Sequence, residues 1–279
     1  MYERFCRRNE NLLNEEKYRA LEKAADIIAG TKETVRTGFD VFDHLGGGFG
    51  RGELVMLGAR PGVGKTAMAI MIAEYNAIRF HVPVFYISLQ KSPSYFMKRL
   101  FNLMTGIDSH HDLISDEANE LFQTTYTKIR ETPFYVRFYD KPTMLQIRNE
   151  MGLCSEMPQL VIVDEIGKPY MSNRESMRIM KELRKLAEST DATVLILSNT
   201  SRLADERPDH MPVPSDFPVP GYMADVMIRM YREGYYMEGH VEEYDPTHLI
   251  YDDANTLMIQ DLCLDYVPGS GFLRGTVPS

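Results

Sequence analysis

The segment Ala59-Arg-Pro-Gly-Val-Gly-Lys-Thr66 places two glycines, a lysine and a hydroxyl at the nucleotide-binding spacing G-x-x-x-x-G-K-[ST], with Ala59 in the first glycine position. Such a run does one kind of chemistry well, the holding of phosphate. Gly62 and Gly64 let the backbone curl with its N–H groups turned inward. A helix opening near Lys65 adds its positive end to the same anion site. On this reading the cradle comprises Ala59, Arg60, Pro61, Gly62, Val63, Gly64 and the helix start at Ala67, Lys65 reaches the β and γ phosphates, and the Thr66 hydroxyl sits on Mg²⁺. The competing reading is a glycine turn joining a core strand to a helix, with Lys65 merely solvated. The apolar run from Leu54 and the apolar helix positions Ala67, Met68, Ile70, Met71 and Ile72 lie in register with the turn, which favours nucleotide binding.

The elements that must position this cradle read as alternating strands and helices. Val82–Leu89, Phe134–Phe138, Gln159–Val163 and Thr193–Ser198 are apolar runs of buried-strand length. Helical spacing predicts helices over Ser94–Met104, Ser115–Glu131, Thr143–Met151 and Arg174–Ser189. That alternation predicts an α/β fold with a mainly parallel central sheet flanked by helices. Ligands in such sheets gather at the carboxyl ends of strands, where the cradle, Gln90, Asp164 with Glu165, and Ser198-Asn199 all fall. Ala224–Tyr231 and Thr256–Leu264 read as late strands, Arg202–Tyr222 as a long functional or mobile loop, and 267–279 as a loosely held tail. Residues 1–30 read as an amphipathic N-terminal linker or docking helix, leaving 31–266 as the main domain. His110 and His111 lack a ligand-like spacing to other His or Cys and read as a solvated loop.

Bulk composition narrows the class. Forty acidic against 31 basic residues give a net charge of −9, so adhesion to nucleic acid through overall charge is not expected and any contact must come from local loops. Three widely spaced cysteines fit neither a disulfide framework nor a zinc site. No run approaches the apolar length of a membrane span and no secretory leader is visible, so the expectation is a cytoplasmic protein with no membrane partner.

From about Val35 to about Tyr236 the chain resembles the ATPase domain of DnaB-type replicative helicases, within the RecA-like P-loop class. The resemblance rests on Thr37-Gly-Phe-Asp, Gly52-Glu-Leu and Ala59-Arg-Pro-Gly-Val-Gly-Lys-Thr-Ala67, in which the first-position alanine becomes a family mark. Ser88-Leu-Gln-Lys91 sits where the family carries Ser-Leu-Glu-Met, and Ser198-Asn-Thr-Ser-Arg202 where it carries Ser-Gln-Leu-Ser-Arg. Tyr231-Arg-Glu-Gly-Tyr-Tyr236 is similar to a Tyr-Arg-Asp-Asp-Tyr-Tyr stretch whose arginine, here Arg232, lies near the base. The resemblance implies a RecA-like core that assembles as a ring around single-stranded DNA, binds ATP with Mg²⁺ at subunit interfaces, and docks its N-terminal helix on a neighbour. Gly46-Gly-Gly48 also suggests a RecA-like circadian or repair ATPase, against which the Ala59-Arg-Pro run argues.

Hydrolysis of a γ phosphate needs a metal, a positioned water and charge placed on the transition state. Asp164, which follows Leu160-Val-Ile-Val163, is the expected acidic partner of Mg²⁺, against the alternative of a strand-end capping carboxylate. The family's catalytic glutamate maps onto Gln90, and an amide cannot take a proton near neutral pH. Gln90 would then only orient water, or Glu165 would act as base in its place. The family's Lys-x-Arg pair, which reaches a neighbour's site, is missing from Ile259-Gln-Asp-Leu-Cys-Leu-Asp-Tyr266, and Arg274 is the nearby cation in the tail. Asn199 replaces the family's sensing glutamine, with a satisfied strand-end amide as the alternative. The family's DNA loops match Gly167–Ser176, with Lys168 and Arg174, and Arg202–Phe217, with Arg202 and Arg207. These readings combine into an ATP-binding, helicase-like motor domain acting on single-stranded DNA in replication, with weakened hydrolysis. The alternative is a nucleotide-binding regulatory or assembly subunit that does not unwind.

Overall fold

Every residue of Leu54–Ala59 is buried, and the run divides its side chains by the two-residue period of a strand. Val55, Leu57 and Ala59 join a core on one face of the sheet, and Leu54 and Met56 join a second core on the other. A strand apolar on both faces needs helices above and below it, and that requirement organises the molecule. The computed structural model describes residues 34–89, 91–107, 116–166, 172–207, 209–236, 246–254, 258–267 and 272–275. The linker helix expected over 1–30, Gln90, His110 with His111, and Lys168 lie outside the described residues.

The central sheet comprises β1 (Leu54–Ala59), β2 (Val84–Ser88), β3 (Phe134–Phe138), β4 (Leu160–Ile166), β5 (Thr193–Asn199), β6 (Val226–Arg232), β7 (Pro246–Asp253), β8 (Met258–Val267) and β9 (Phe272–Gly275). Their spatial order is β9-β8-β7-β6-β1-β5-β4-β2-β3. All pairings from β6 across to β3 are parallel, whereas β7, β8 and β9 add on as an antiparallel meander. The helices are α1 (Asp40–Gly46), α2 (Lys65–Glu74), α3 (Pro93–Thr105), α4 (Asp116–Arg130), α5 (Met144–Gly152) and α6 (Asn173–Thr190). Residues of α1, α2 and α3, among them Phe42, Met68, Ile70, Phe96 and Leu100, fill the first core. Residues of α5 and α6, among them Ile147, Met151, Met180, Leu183 and Leu186, fill the second. Each fully buried aliphatic side chain here contributes about 1.5–3 kcal/mol.

The expected α/β architecture with a mainly parallel sheet is therefore present. Two features of the carboxyl-terminal part differ from the sequence reading. A strand at Pro246–Asp253 lies between the two expected late strands, and the stretch read as a tail contains β9, paired with β8 from Val267↔Phe272 to Leu264↔Gly275. The strand at Pro246–Asp253 hides from a hydrophobicity scan because its sequence interleaves apolar residues with His248, Asp252 and Asp253.

Register brings the sheet's carboxyl edge into order. Ala59 at the end of β1 pairs with Asn199 at the end of β5, and Asp164 on β4 is level with Ser88 at the end of β2. The β4–β5 ladder is irregular between Val163 and Ile166, so Asp164 and Glu165 sit where regular pairing lapses. Beside β1, the ring of Phe217 covers Gly58 so closely that a Cβ there would overlap its Cε1 and Cζ atoms. Gly58→Ala should therefore lower stability by about 1–3 kcal/mol through overpacking, read by chemical denaturation. In a Phe217→Ala background the same change should cost little, because the obstructing ring is gone.

Candidate functional site

The turn between β1 and α2 takes the shape its glycines permit. Gly62 has φ +87° and Gly64 φ +129°, values that side-chain-bearing residues rarely adopt. Val63, between them, is fully buried and pins the turn to the first core. Gly64 caps α2 and, as a glycine, brings no side chain to accept from its first turn. Ala67 is buried behind the turn, whereas Pro61 and Gly62 face outward.

Lys65 is the hub. Its side chain is 4% exposed, and its Nζ donates to the carbonyls of Ala59 (3.1 Å) and Arg60 (3.2 Å) and to Asn199 Oδ1 (2.6 Å). Asn199 Nδ2 in turn donates to Glu165 Oε1, and Glu165 Oε2 lies 4.0 Å from Lys65 Nζ. Burial pulls the lysine pKa down from its ordinary 10.5 to about 8, although Glu165 and Asp164 oppose that shift. Lysine, amide and carboxylate from α2, β5 and β4 thus form one connected polar group.

Asp164 forms a second centre beside it. Thr66 Oγ1 donates to Asp164 Oδ1 (3.3 Å) and the phenol of Tyr86 donates to Asp164 Oδ2 (2.8 Å). Burial raises the Asp164 pKa, and the two hydroxyl donors act against that rise. Burial and the neighbouring carboxylate push the Tyr86 phenol well up. Among the described residues no ion pair reaches this buried carboxylate. A hydroxyl and a carboxylate side by side, without a cation partner, form an oxygen donor set that fits a hard divalent ion such as Mg²⁺.

Two further segments close over the turn. Arg60 donates through one terminal nitrogen to the Thr200 carbonyl (3.2 Å) and pairs through the other with Asp205 Oδ2 (2.9 Å). Tyr235 stands over Gly62, since a Cβ there would lie 3.4 Å from its Cε2. Arg232, at the end of β6, is half-buried. The Tyr236 ring stacks on His210 at 4.4 Å, and its phenol is pushed up to about 12 by burial and by Asp205.

The structure thus brings Ala59, Arg60, Gly62, Gly64, Lys65, Thr66, Asp164, Glu165 and Asn199 together at one sheet edge. Of the candidate DNA residues, Arg174 and Arg202 follow the carboxyl ends of the neighbouring parallel strands β4 and β5. Arg174 is exposed in the first turn of α6, and Arg202 is exposed at the start of a 3₁₀ turn. Arg207 instead ties its own loop together, forking onto the buried Asp216 and donating to the Met211 carbonyl at 2.8 Å. A cavity of about 840 Å³ opens between α5 and α6, with Ile147, Val163, Ile179 and Glu165 in its wall. The phosphate turn does not line it. Sequence reasoning missed Tyr86 and the Arg60–Asp205 link. The one available signal was a tyrosine inside the otherwise aliphatic and phenylalanine run of β2. Among the described residues no helix is long and apolar enough to cross a membrane.

Comparison with known proteins agrees with this fold. Residues 34–260 match the family described as DnaB-like helicase C terminal domain. The chain is 27% identical over 224 residues to a replicative DNA helicase DnaB of Leifsonia xyli subsp. xyli, covering 74% of this chain and 48% of that protein. It is 30% identical over 182 residues to a replicative DNA helicase DnaB of Treponema pallidum, covering 61% and 42%. The chain thus spans about half the length of these relatives. Among solved structures, a separately solved ATPase domain superimposes with TM-score 0.76 at 20% identity, covering 94% of this chain and 98% of that one. A DnaB-like replicative helicase, solved in a study of its interactions with primase, gives 0.78 at 20% identity, covering 94% and 67%. At these identities the likeness carries the fold.

The lysine shift has a defined consequence. An anion that binds the Lys65 ammonium should bind progressively more weakly as pH rises through about 8, where the free protein's lysine loses its proton. The slope should approach tenfold per pH unit until the bound-state pKa is reached. Calorimetric titration with ADP should give this profile, and Lys65→Ala should flatten it while weakening binding. For stability the sign is the reverse. Between about 8 and 10.5 the unfolded chain holds more protons at this lysine, so its contribution to stability grows with pH.

Proposed function

Because the chain belongs to the DnaB-like helicase C-terminal domain family, a RecA-like P-loop class, we propose that it is an ATP-binding motor domain that self-associates in a ring and acts on single-stranded DNA, with slow hydrolysis. The observation that carries this reading is the convergence of Lys65, Thr66, Asp164, Glu165 and Asn199 around one curled backbone turn. When bound, Mg²⁺ supplies charge neutralisation between the phosphate oxygens, and Thr66 and Asp164 are the residues that would hold it. Lys65 would exchange its carbonyl and amide acceptors for phosphate oxygens. The N–H groups of the turn and of the start of α2 would take the remaining anion charge.

Base catalysis is assigned to Glu165. Its carboxylate already faces Lys65 and is oriented by Asn199, whereas Gln90, at the family's glutamate position, is an amide. The arrangement also supports Asn199 as the group that senses the γ phosphate, because breaking its bond to Lys65 frees it to follow the ligand. The family's trans Lys-x-Arg has no counterpart in Ile259–Tyr266. Loss of a trans arginine alone slows such reactions by about 10³ to 10⁵, which is the ground for expecting slow turnover. For DNA, the exposed Arg174 and Arg202 are the assigned phosphate contacts, together with Lys168. Arg207 is assigned to holding its loop.

The second reading, a nucleotide-binding regulatory or assembly subunit, draws on the same two departures, Gln90 and the cation-poor Ile259–Tyr266 run. Phosphate release measured with and without single-stranded DNA separates the two. The motor reading expects slow, DNA-dependent turnover, with Glu165→Gln lowering it about 10²-fold or more and leaving ATP affinity nearly unchanged. Brisk turnover in the variant would remove Glu165 from the base role. No turnover in the parent, with ATP binding intact, would establish the second reading. Arg174→Ala and Arg202→Ala should each weaken single-stranded DNA binding and lower the slope of log affinity against log salt by about one, read by fluorescence anisotropy.

A further inference from the structure

We infer that Tyr86 is a positioning residue for the acidic metal ligand, fixing the rotation of the Asp164 carboxylate so that only one of its oxygens is turned to the cation. The inference rests on the nucleotide-and-metal reading of the site and deepens it.

Tyr86 is fully buried in the middle of β2, and its O–H donates to Asp164 Oδ2 at 2.8 Å on the adjacent parallel strand β4. The other carboxylate oxygen, Oδ1, is the one shared with the Thr66 hydroxyl at 3.3 Å. The two oxygens therefore have different duties: Oδ2 is occupied from within the core, and Oδ1 faces the phosphate turn beside the hydroxyl expected on the cation. A carboxylate with one oxygen satisfied in this way loses the freedom to rotate about its Cβ–Cγ bond. A metal ligand gains affinity when its partners hold it in place before the ion arrives.

The ring is itself held. Phe96 on α3 meets the Tyr86 ring edge-on at 4.8 Å, and Phe96 in turn packs against Phe134 and Phe138 of β3. Tyr86 is thus set by an aromatic cluster, and its hydroxyl is the polar tip by which the first core touches the site. A phenylalanine at this position would fill the same space and leave Asp164 Oδ2 buried without that donor.

The test is equilibrium binding of a fluorescent N-methylanthraniloyl ATP to the full chain, as a function of free Mg²⁺ and separately in EDTA. Tyr86→Phe should raise the Mg²⁺ concentration at half-effect by about tenfold or more, the range typical for loss of a partner behind a metal ligand. Affinity in EDTA should stay within about twofold of the parent. Tyr86→4-aminophenylalanine keeps the ring and a weaker donor, and should fall between the two. A Tyr86→Phe protein with the parental Mg²⁺ midpoint would overturn the inference, as would one that loses affinity equally with and without Mg²⁺, since that marks a packing role only. If Tyr86→Phe does not fold, the aminophenylalanine variant decides by the same two measurements: a raised midpoint at unchanged EDTA affinity sustains the inference and a parental midpoint overturns it. A parent that binds no nucleotide in either condition would overturn the nucleotide reading beneath it, a result distinct from intact parental binding with an unshifted variant.

Discussion

A lysine ammonium removed almost wholly from water must be compensated on every side, and at Lys65 that requirement shapes the surrounding architecture. Two backbone carbonyls, an amide oxygen and a carboxylate at 4.0 Å surround the charge. They still leave its pKa near 8, so desolvation outweighs the compensation. A buried charge held at that cost to its protonated form gains most from an anion placed beside it. The same burial that destabilises the ammonium strengthens its attraction to phosphate, because the local medium screens poorly.

The fold meets this requirement through register. Parallel strands present their carboxyl ends on one edge, so Ala59, Asp164 and Asn199 arrive together although they are far apart in sequence. The lapse in the β4–β5 ladder after Val163 matters as much as the pairing before it. In a strictly alternating strand, Asp164 and Glu165 would point to opposite faces. Here both side chains serve the same edge, one toward Thr66 and one toward Lys65 and Asn199. The two adjacent carboxylates thus have different partners, Thr66 and Tyr86 for Asp164, and Asn199 with Lys65 for Glu165.

Much of this was legible in the sequence because it follows from local rules. The turn was readable from Gly62, Gly64 and Lys65, since glycines just ahead of a helix start permit the positive φ values that the turn adopts. The parallel core was readable from apolar runs such as Leu160–Val163, which only a sheet covered on both faces can bury. What escaped depends on partners distant in the chain. Tyr86 reads as an ordinary strand former until β4 is placed beside it. Arg207 reads as a free cation for DNA until Asp216, nine residues on, is found buried under its fork. The strand at Pro246–Asp253 escaped because an antiparallel strand near a sheet's edge need not be apolar throughout. The pairing of Arg229 with Asp252 across β6 and β7, at 2.5 Å, could not be read before those strands were neighbours.

The site also bears on the loop that follows β5. Thr200 N donates to the Ala59 carbonyl at 3.0 Å, Arg60 reaches back to Thr200 and Asp205, and Ser201 N donates to the Asp216 carbonyl at 2.8 Å. Phe217 then packs on Gly58, immediately before the turn. The turn and the loop that follows β5 are thus joined where the turn begins, by hydrogen bonds, one ion pair and one ring contact. Contiguity of this kind does not itself transmit a signal. It does set a mechanical condition. If a phosphate displaces Lys65 from the Ala59 and Arg60 carbonyls, the freed carbonyls belong to the two residues that also hold Thr200 and Asp205. A change at the ammonium would then bear on the two residues that hold the loop carrying Arg202. In a motor of the proposed kind, the shortest physical path from the triphosphate to the nucleic-acid side would run through Arg60.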